Sequence, residues 1–190
     1  MKREALSLYA LIGLLVVAAA LLPRAAAAQV SDEEAVVELI VARLAVMKEV
    51  AAYKYGNDLP IEDRDREAVV LDKSVEKAEA LGLDGASVLP FFAQQIEAAK
   101  SIQACWMARW REGSETALRF PRDLQTELRP QLIEIGNKLG DTLAAALADG
   151  EALDAERLDD ARTQVSLDCL TTEKLDAVLA SLRAVKSAGP

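Results

Sequence analysis

The sequence predicts an all-α protein, and three observations carry that prediction. No segment alternates apolar and polar residues with the period of two that a half-buried strand requires. Aromatic residues are only 4% of the 190-residue chain, while Ala, Leu, Glu and Lys, all strong helix formers, dominate. Apolar residues recur at spacings of three and four, between breaks made by Gly, Pro and Asn. The expected architecture is a single helical-bundle domain of about six helices.

Residues 1–28 stand apart from that domain. Lys2 and Arg3 open the chain, an apolar run extends from Leu6 to Leu22, and small residues follow at Ala26 and Ala28. This is the pattern of a cleavable signal peptide, with cleavage after Ala28. The competing reading is an uncleaved anchor, because the run is close to the shortest that spans a bilayer. The well-formed small-residue site decides for cleavage, and residues 29–190 form the domain. The expected location is periplasmic or secreted, with no membrane association after cleavage.

In the domain, Ser31 followed by Asp32, Glu33 and Glu34 starts a helix, with a cap and a first turn rich in carboxylates. It should run from about Asp32 to Tyr55 and end at Gly56-Asn57-Asp58-Leu59-Pro60. A second helix spans about Asp63 to Leu81 and stops at Gly82. A third begins near Ser87 as N-cap, tolerates Pro90 in its first turn and reaches about Arg111. A fourth covers about Asp123 to Ala148, with a bend near Pro130 and Gly136. Helical segments at about Ala155–Val165 and Thr172–Lys186 complete the chain.

Composition narrows the chemistry. The net charge is −9. Loss of the first 28 residues removes three of the 22 cations (Lys2, Arg3, Arg24) and one of the 31 carboxylates (Glu4), which takes the charge to −11. That opposes nucleic acid or an anionic membrane as partner. There is no histidine, so a Ser-His-Asp triad, a Cys-His pair and a His-ligated metal are all excluded. The two cysteines, Cys105 and Cys169, are too few for a zinc thiolate site. In an exported chain they read as one disulfide, with two buried thiols as the alternative. No metal site is expected.

Two cations disturb the first helix. Val36, Ile40, Arg43, Met47, Val50 and Lys54 follow one another at alternating steps of four and three. Rows on either side are apolar: Val37, Leu44 and Ala51 on one, Leu39, Val46 and Tyr53 on the other. Arg43 and Lys54 thus fall inside a wide apolar face, about three turns and about 16 Å apart along the axis. The third helix has a similar seam of Phe92, Ile96, Ala99, Gln103, Trp106 and Trp110, with Gln103 its strongly polar member. The second opens with Asp63, Arg66 and Glu67 on a common face.

Each misfit has an ordinary structural explanation. A lone Arg snorkels or pairs with a carboxylate. A lone Gln bonds a backbone carbonyl. A charged cluster at a helix start is a solvated cap. Together they point elsewhere, because burying an unpaired cation costs several kcal/mol. Two cations on one stripe, facing a core with another Arg and a Gln, describe an internal anion site whose apolar lining strengthens each contact. The sequence shows no nucleophile with its base, no metal cluster and no glycine loop for phosphate. The remaining chemistry is one that cations and hydrogen-bond donors accelerate by electrostatics alone, such as a pericyclic rearrangement of a dianion.

The segment Arg43–Glu67, RLAVMKEVAAYKYGNDLPIEDRDRE, resembles the AroQ-type chorismate mutases, specifically their exported gamma subclass. The lysine, the proline-containing turn and the Asp-x-x-Arg-Glu set all match the family pattern. QIEAAKSIQ, ending at Gln103, resembles its third-helix signature. The resemblance covers about Asp32 to Arg111 well and is weaker over the C-terminal third. It implies an all-helical fold and the Claisen rearrangement of chorismate to prephenate, without a cofactor.

By position, the resemblance implies that Arg43 binds a substrate carboxylate. Lys54 would bind a carboxylate and the ether oxygen, and Gln103 would hydrogen-bond the same oxygen. Arg66 would add positive charge, and Asp63 and Glu67 would hold the ring-hydroxyl region. The second carboxylate needs an arginine of the same chain: Arg129 in LRPQL is the candidate, with Arg119 and Arg122 as alternates. Ala99 stands where relatives often carry Ser or Thr, so one hydroxyl contact is missing. Gln103 replaces the glutamate of some relatives. The subclass also implies a homodimer. The alternative expectation, from a different class, is a non-catalytic helical periplasmic anion-binding or adaptor protein.

Overall fold

The structure is a computed structural model and describes residues 31–189. The expected signal peptide therefore lies outside the described residues. No helix among those described is long and apolar enough to cross a membrane.

The first expected helix forms as two segments, α1 (Asp32–Ala45) and α2 (Met47–Gly56). The Ser31 hydroxyl caps α1 by accepting from the Glu34 N–H at 3.1 Å. Only Val46 separates the segments, and its backbone stays helical at φ −63, ψ −19. Its carbonyl accepts from both Glu49 N–H and Val50 N–H at 3.1 Å, a local tightening that leaves the rod nearly continuous. Asn57 ends α2, its side-chain amide donating to Tyr53 O at 2.8 Å.

Helix α3 (Arg64–Ala80) starts after Asp63, which acts as N-cap. Asp63 Oδ1 accepts from Arg66 N–H, and Glu67 Oε1 accepts in return from Asp63 N–H, both at 3.2 Å. This reciprocal cap satisfies donors that a helix start leaves bare. Gly82, at φ +81, then turns the chain in a conformation that costs glycine little.

Helix α4 (Gly85–Glu112) begins earlier than the sequence suggests. Asp84, not Ser87, is the N-cap, accepting from Ala86 N–H at 3.0 Å. The turn at Gly82 brings Gly85 so close to α3 that an added Cβ would lie 2.4 Å from Glu79 Oε1. Pro90 consequently sits in the second turn rather than the first. Its missing N–H is tolerated there because Ala86 and Pro90 are both exposed, so water reaches the unpaired carbonyl.

The fourth expected helix is a π-helical turn, Leu124–Leu128, leading into α5 (Arg129–Ala146). Pro130 has no N–H to offer Thr126 O, and its ring crowds that carbonyl, so the turn ahead of it winds more widely. Helices α6 (Ala155–Thr163) and α7 (Thr172–Arg183) each stop a little before the expected ends. After α7 the chain returns to the α3–α4 turn. Leu83 and Ser187 form an isolated β-bridge, and Asp84 N–H donates to Lys186 O at 2.9 Å.

Helix α4 is the axis of the bundle: α2, α3 and α7 all pack on it, while α1 lies along α5 and α6. Val36, Ile40 and Leu44 of α1, Phe91 and Ile102 of α4, and Leu139 and Leu143 of α5 are fully buried or nearly so. A disulfide joins Cys105 of α4 to Cys169, 64 residues away in the chain. It ties the C-terminal third to the central helix.

Candidate active site

A cavity of about 770 Å³ opens within the bundle. Helices α1 and α2 supply Arg43, Met47, Val50 and Lys54, and α4 supplies Phe92, Ile96, Ala99, Lys100 and Gln103. The start of α3 brings Asp63, Arg66 and Glu67, while α5 contributes Arg129 and Leu132. Val69 of α3 (47% exposed) and Ile133 of α5 (53%) mark the rim, so the mouth lies between those two helices. Seven cations line the space against three carboxylates. In a chain of net charge −9, this is a local reversal of sign that favours an anion.

Lys54 is 9% exposed and, among the described residues, has no carboxylate within ion-pair distance. Its ammonium donates to Ile61 O at 2.6 Å. Burial pulls its pKa below the ordinary lysine value; Asp63 and Glu67 oppose that pull and Arg129 adds to it. Arg43 makes one long hydrogen bond, Nη1 to Leu132 O at 3.5 Å. Burial, and then the facing Arg66, lower its pKa to about 10. Two cations, Lys54 buried and Arg43 half-buried, thus stand in a largely apolar wall without full compensation. A bound anion would relieve the cost of both.

Gln103 is 5% exposed. Its Nε2 donates to Ala99 O at 3.1 Å and touches Met47 Sδ at 3.6 Å, while Oε1 has no hydrogen-bond partner among the described residues. Buried amide oxygens are seldom left so, because the lost hydration is not returned. At the start of α5, Arg129 Nη2 meets Asp63 Oδ2 at 3.3 Å, and its Nη1 donates to Gln125 Oε1. Arg129 follows the π-helical turn directly, as the first residue of α5, and its side chain lines the cavity.

The structure therefore brings Arg43, Lys54, Asp63, Arg66, Glu67, Ala99, Gln103 and Arg129 around one cavity. Of the three candidate C-terminal arginines, only Arg129 lines it. Arg122 is committed to Glu49, with contacts of 2.6 and 2.7 Å, and to Gln131 at 2.9 Å. Arg119 lies over the ring of Phe120, 5.4 Å from its centroid. Neither cysteine of the disulfide lines the cavity.

Sequence reasoning missed Lys100. Its ammonium bridges Glu67 Oε2 at 3.1 Å and Glu97 Oε1 at 2.6 Å. With Glu97 three residues away, it has the look of a surface ion pair along one helix. Its position three residues before Gln103 was the available signal, since that spacing places both near one face.

Residues 31–104 match the family model described as chorismate mutase type II. A secreted chorismate mutase of Yersinia pestis is 40% identical over 109 residues, 57% of this chain and 58% of that protein. The chain thus spans less than two thirds of this curated relative. The crystal structure of a secreted chorismate mutase from Yersinia pestis superposes with a TM-score of 0.72 at 32% identity, over 80% of this chain and 97% of that one. A chorismate mutase from Burkholderia thailandensis gives 0.70 at 31%, over 80% and 98%. The agreement in fold, extent and sequence places this chain in the type II chorismate mutase family.

Proposed function

We propose that this protein is an exported chorismate mutase that converts chorismate to prephenate by an electrostatically assisted Claisen rearrangement. One observation carries the reading: Arg43, Lys54, Gln103 and Arg129, drawn from different helices, converge on one cavity. Lys54 is buried and Arg43 half-buried, and neither has a carboxylate at ion-pair distance among the described residues. Export follows from the leader-like residues 1–28 and from similarity to a relative that is itself secreted. The disulfide suits an oxidising compartment.

The substrate is a dianion. Arg43 on one side and Arg129 on the other take its two carboxylates, for which the guanidinium fork is well shaped. Holding both selects the compact conformer in which the reacting carbons meet. In the rearrangement the C–O bond breaks ahead of C–C bond formation, so negative charge grows on the ether oxygen. Lys54 and Gln103, aimed there, bind the transition state more strongly than the ground state. To do so Gln103 gives up its bond to Ala99 O, a cost of about 1 kcal/mol. Asp63 and Glu67 accept from the ring hydroxyl, and Arg66 adds to the positive field. No step calls for a cofactor. Every residue named comes from one chain, so a homodimer, expected from the subclass, would carry two complete sites.

The test is the loss of chorismate absorbance on adding the purified mature protein, with Lys54→Ala as control. Turnover by the parent and not by the variant supports the reading. A well-folded parent that binds a dianionic inhibitor without turnover supports the anion-binding alternative instead.

A further inference from the structure

Lys100 belongs to α4, but the carboxylate it reaches belongs to the first turn of α3. Its ammonium lies 3.1 Å from Glu67 Oε2 and is itself steadied by Glu97 at 2.6 Å. Glu97 and then Glu67 hold the lysine firmly in its charged form. The other Glu67 oxygen, Oε1, accepts from Asp63 N–H at 3.2 Å. Glu67 is therefore gripped at both oxygens, by its own helix cap and by a neighbouring helix. The lysine and glutamate side chains are 22% and 23% exposed, at the edge of the cavity that both line.

This grip restricts what Glu67 can do. A carboxylate has about four lone-pair positions. Two are engaged by Asp63 N–H and Lys100 Nζ, and the plane they define sets where the free ones point. Without Lys100, the Glu67 side chain would be free to swing toward Lys54, Arg66 or Arg129, three of the other cations lining the cavity. Turned that way, the carboxylate would no longer be held in the orientation that Asp63 N–H and Lys100 Nζ together define.

We propose that Lys100 is a positioning residue that fixes the Glu67 carboxylate for one task, accepting the ring hydroxyl of the substrate, and so sets the preference for a hydroxylated ring. The proposal rests on the mutase reading above. A site built to bond a hydroxyl discriminates sharply against an analogue lacking it. Lys100 controls that discrimination without touching the substrate.

The experiment compares kcat/KM for chorismate and for the analogue in which hydrogen replaces the ring hydroxyl. Lys100→Met should lower the value for chorismate roughly tenfold, the size of a hydrogen bond to a charged group. The analogue should lose no more than it does in a Glu97→Gln control, and Lys100→Arg should restore most of the chorismate value. In a Glu67→Gln background, Lys100→Met should have no further effect. Equal losses for both substrates, or additive losses in the double variant, overturn the positioning role and leave Lys100 a structural brace. If the parent turns over neither substrate, the mutase reading itself fails. If the parent is active and the Lys100→Met ratio is unchanged, only the positioning role fails.

Discussion

Lys54 reaches past the end of its own helix and donates a 2.6 Å hydrogen bond to the carbonyl of Ile61. The backbone joins the same turn, with Leu59 N–H bonded to Lys54 O at 2.9 Å. One residue thereby closes the α2–α3 connection and holds a cation at the cavity wall. Two residues beyond Ile61, Asp63 starts α3 and its set of polar groups. The loop is folded over the lysine that the proposed chemistry needs most.

Lys54→Ala should therefore remove catalysis while leaving the bundle folded. A single donor aimed at developing negative charge contributes about 10²–10³ in kcat, and here that donor also carries a full charge. The expected result is near-complete loss of turnover with an unchanged far-ultraviolet circular dichroism spectrum. Ordinary activity in a folded variant would remove Lys54 from the mechanism.

The depressed pKa of Lys54 predicts an alkaline limb. Burial favours the neutral amine, so the free enzyme loses this proton as pH rises through a value below the ordinary 10.5. The role proposed for Lys54 requires the charged form, so kcat/KM should decline before a free lysine would titrate. A bound dianion favours the charged form, which should move the limb to higher pH in kcat than in kcat/KM. The stability effect has the opposite sense. Between the folded value and 10.5 the unfolded chain binds more protons, so the Lys54 contribution to stability rises with pH over that window. Rate profiles across the alkaline range, paired with chemical denaturation, test both signs.

Gln103 predicts a flat profile near neutrality. An amide donates from Nε2 at any pH, whereas a glutamate must be protonated to do so. Gln103→Glu should confine activity to acidic solution, with a steep fall toward pH 7. A parent enzyme that already shows that fall would contradict the role given to Gln103.

The three arginines separate by geometry. Arg129→Ala should lower kcat/KM about a hundredfold, the scale of a lost charge-assisted carboxylate contact. Arg119→Ala should leave the rate unchanged. Arg122 pairs with Glu49 near the surface, so its replacement should cost stability of at most about 1 kcal/mol and little activity. Steady-state kinetics on the three variants decide the assignment.

The disulfide closes a loop of 64 residues, and chain-entropy arguments value such a link at about 4 kcal/mol. Cys105→Ser with Cys169→Ser should lower unfolding free energy by up to that amount. The rate at room temperature should hold, because neither residue lines the cavity. Denaturant titration and a rate measurement on the same sample are sufficient.

The helices and their faces were legible in the chain because apolar spacing, caps and breakers are local. Arg43, Lys54 and Gln103 stood out for the same reason, as polar residues inside apolar seams. Asp63, Arg66 and Glu67 could be read as one helix start. Three things were less accessible. Pro130 indicated a bend but not the π-helical turn that precedes Arg129. Ser87 looked like a cap because the close approach of Gly85 to α3 cannot be read from α4 alone. Lys100 did not stand out at all, because its partner Glu67 lies 33 residues back.

By itself, then, the order of residues determined an all-helical chain, the periodic faces of its rods and the misplaced cations among them. Those properties depend on steric and hydrogen-bonding rules acting over a few residues. Only the tertiary structure decided which arginine joins Arg43 at the cavity, that Cys105 bonds Cys169, and that Lys100 grips Glu67. Each depends on distances between segments far apart in the chain, set by how the helices pack rather than by any local preference.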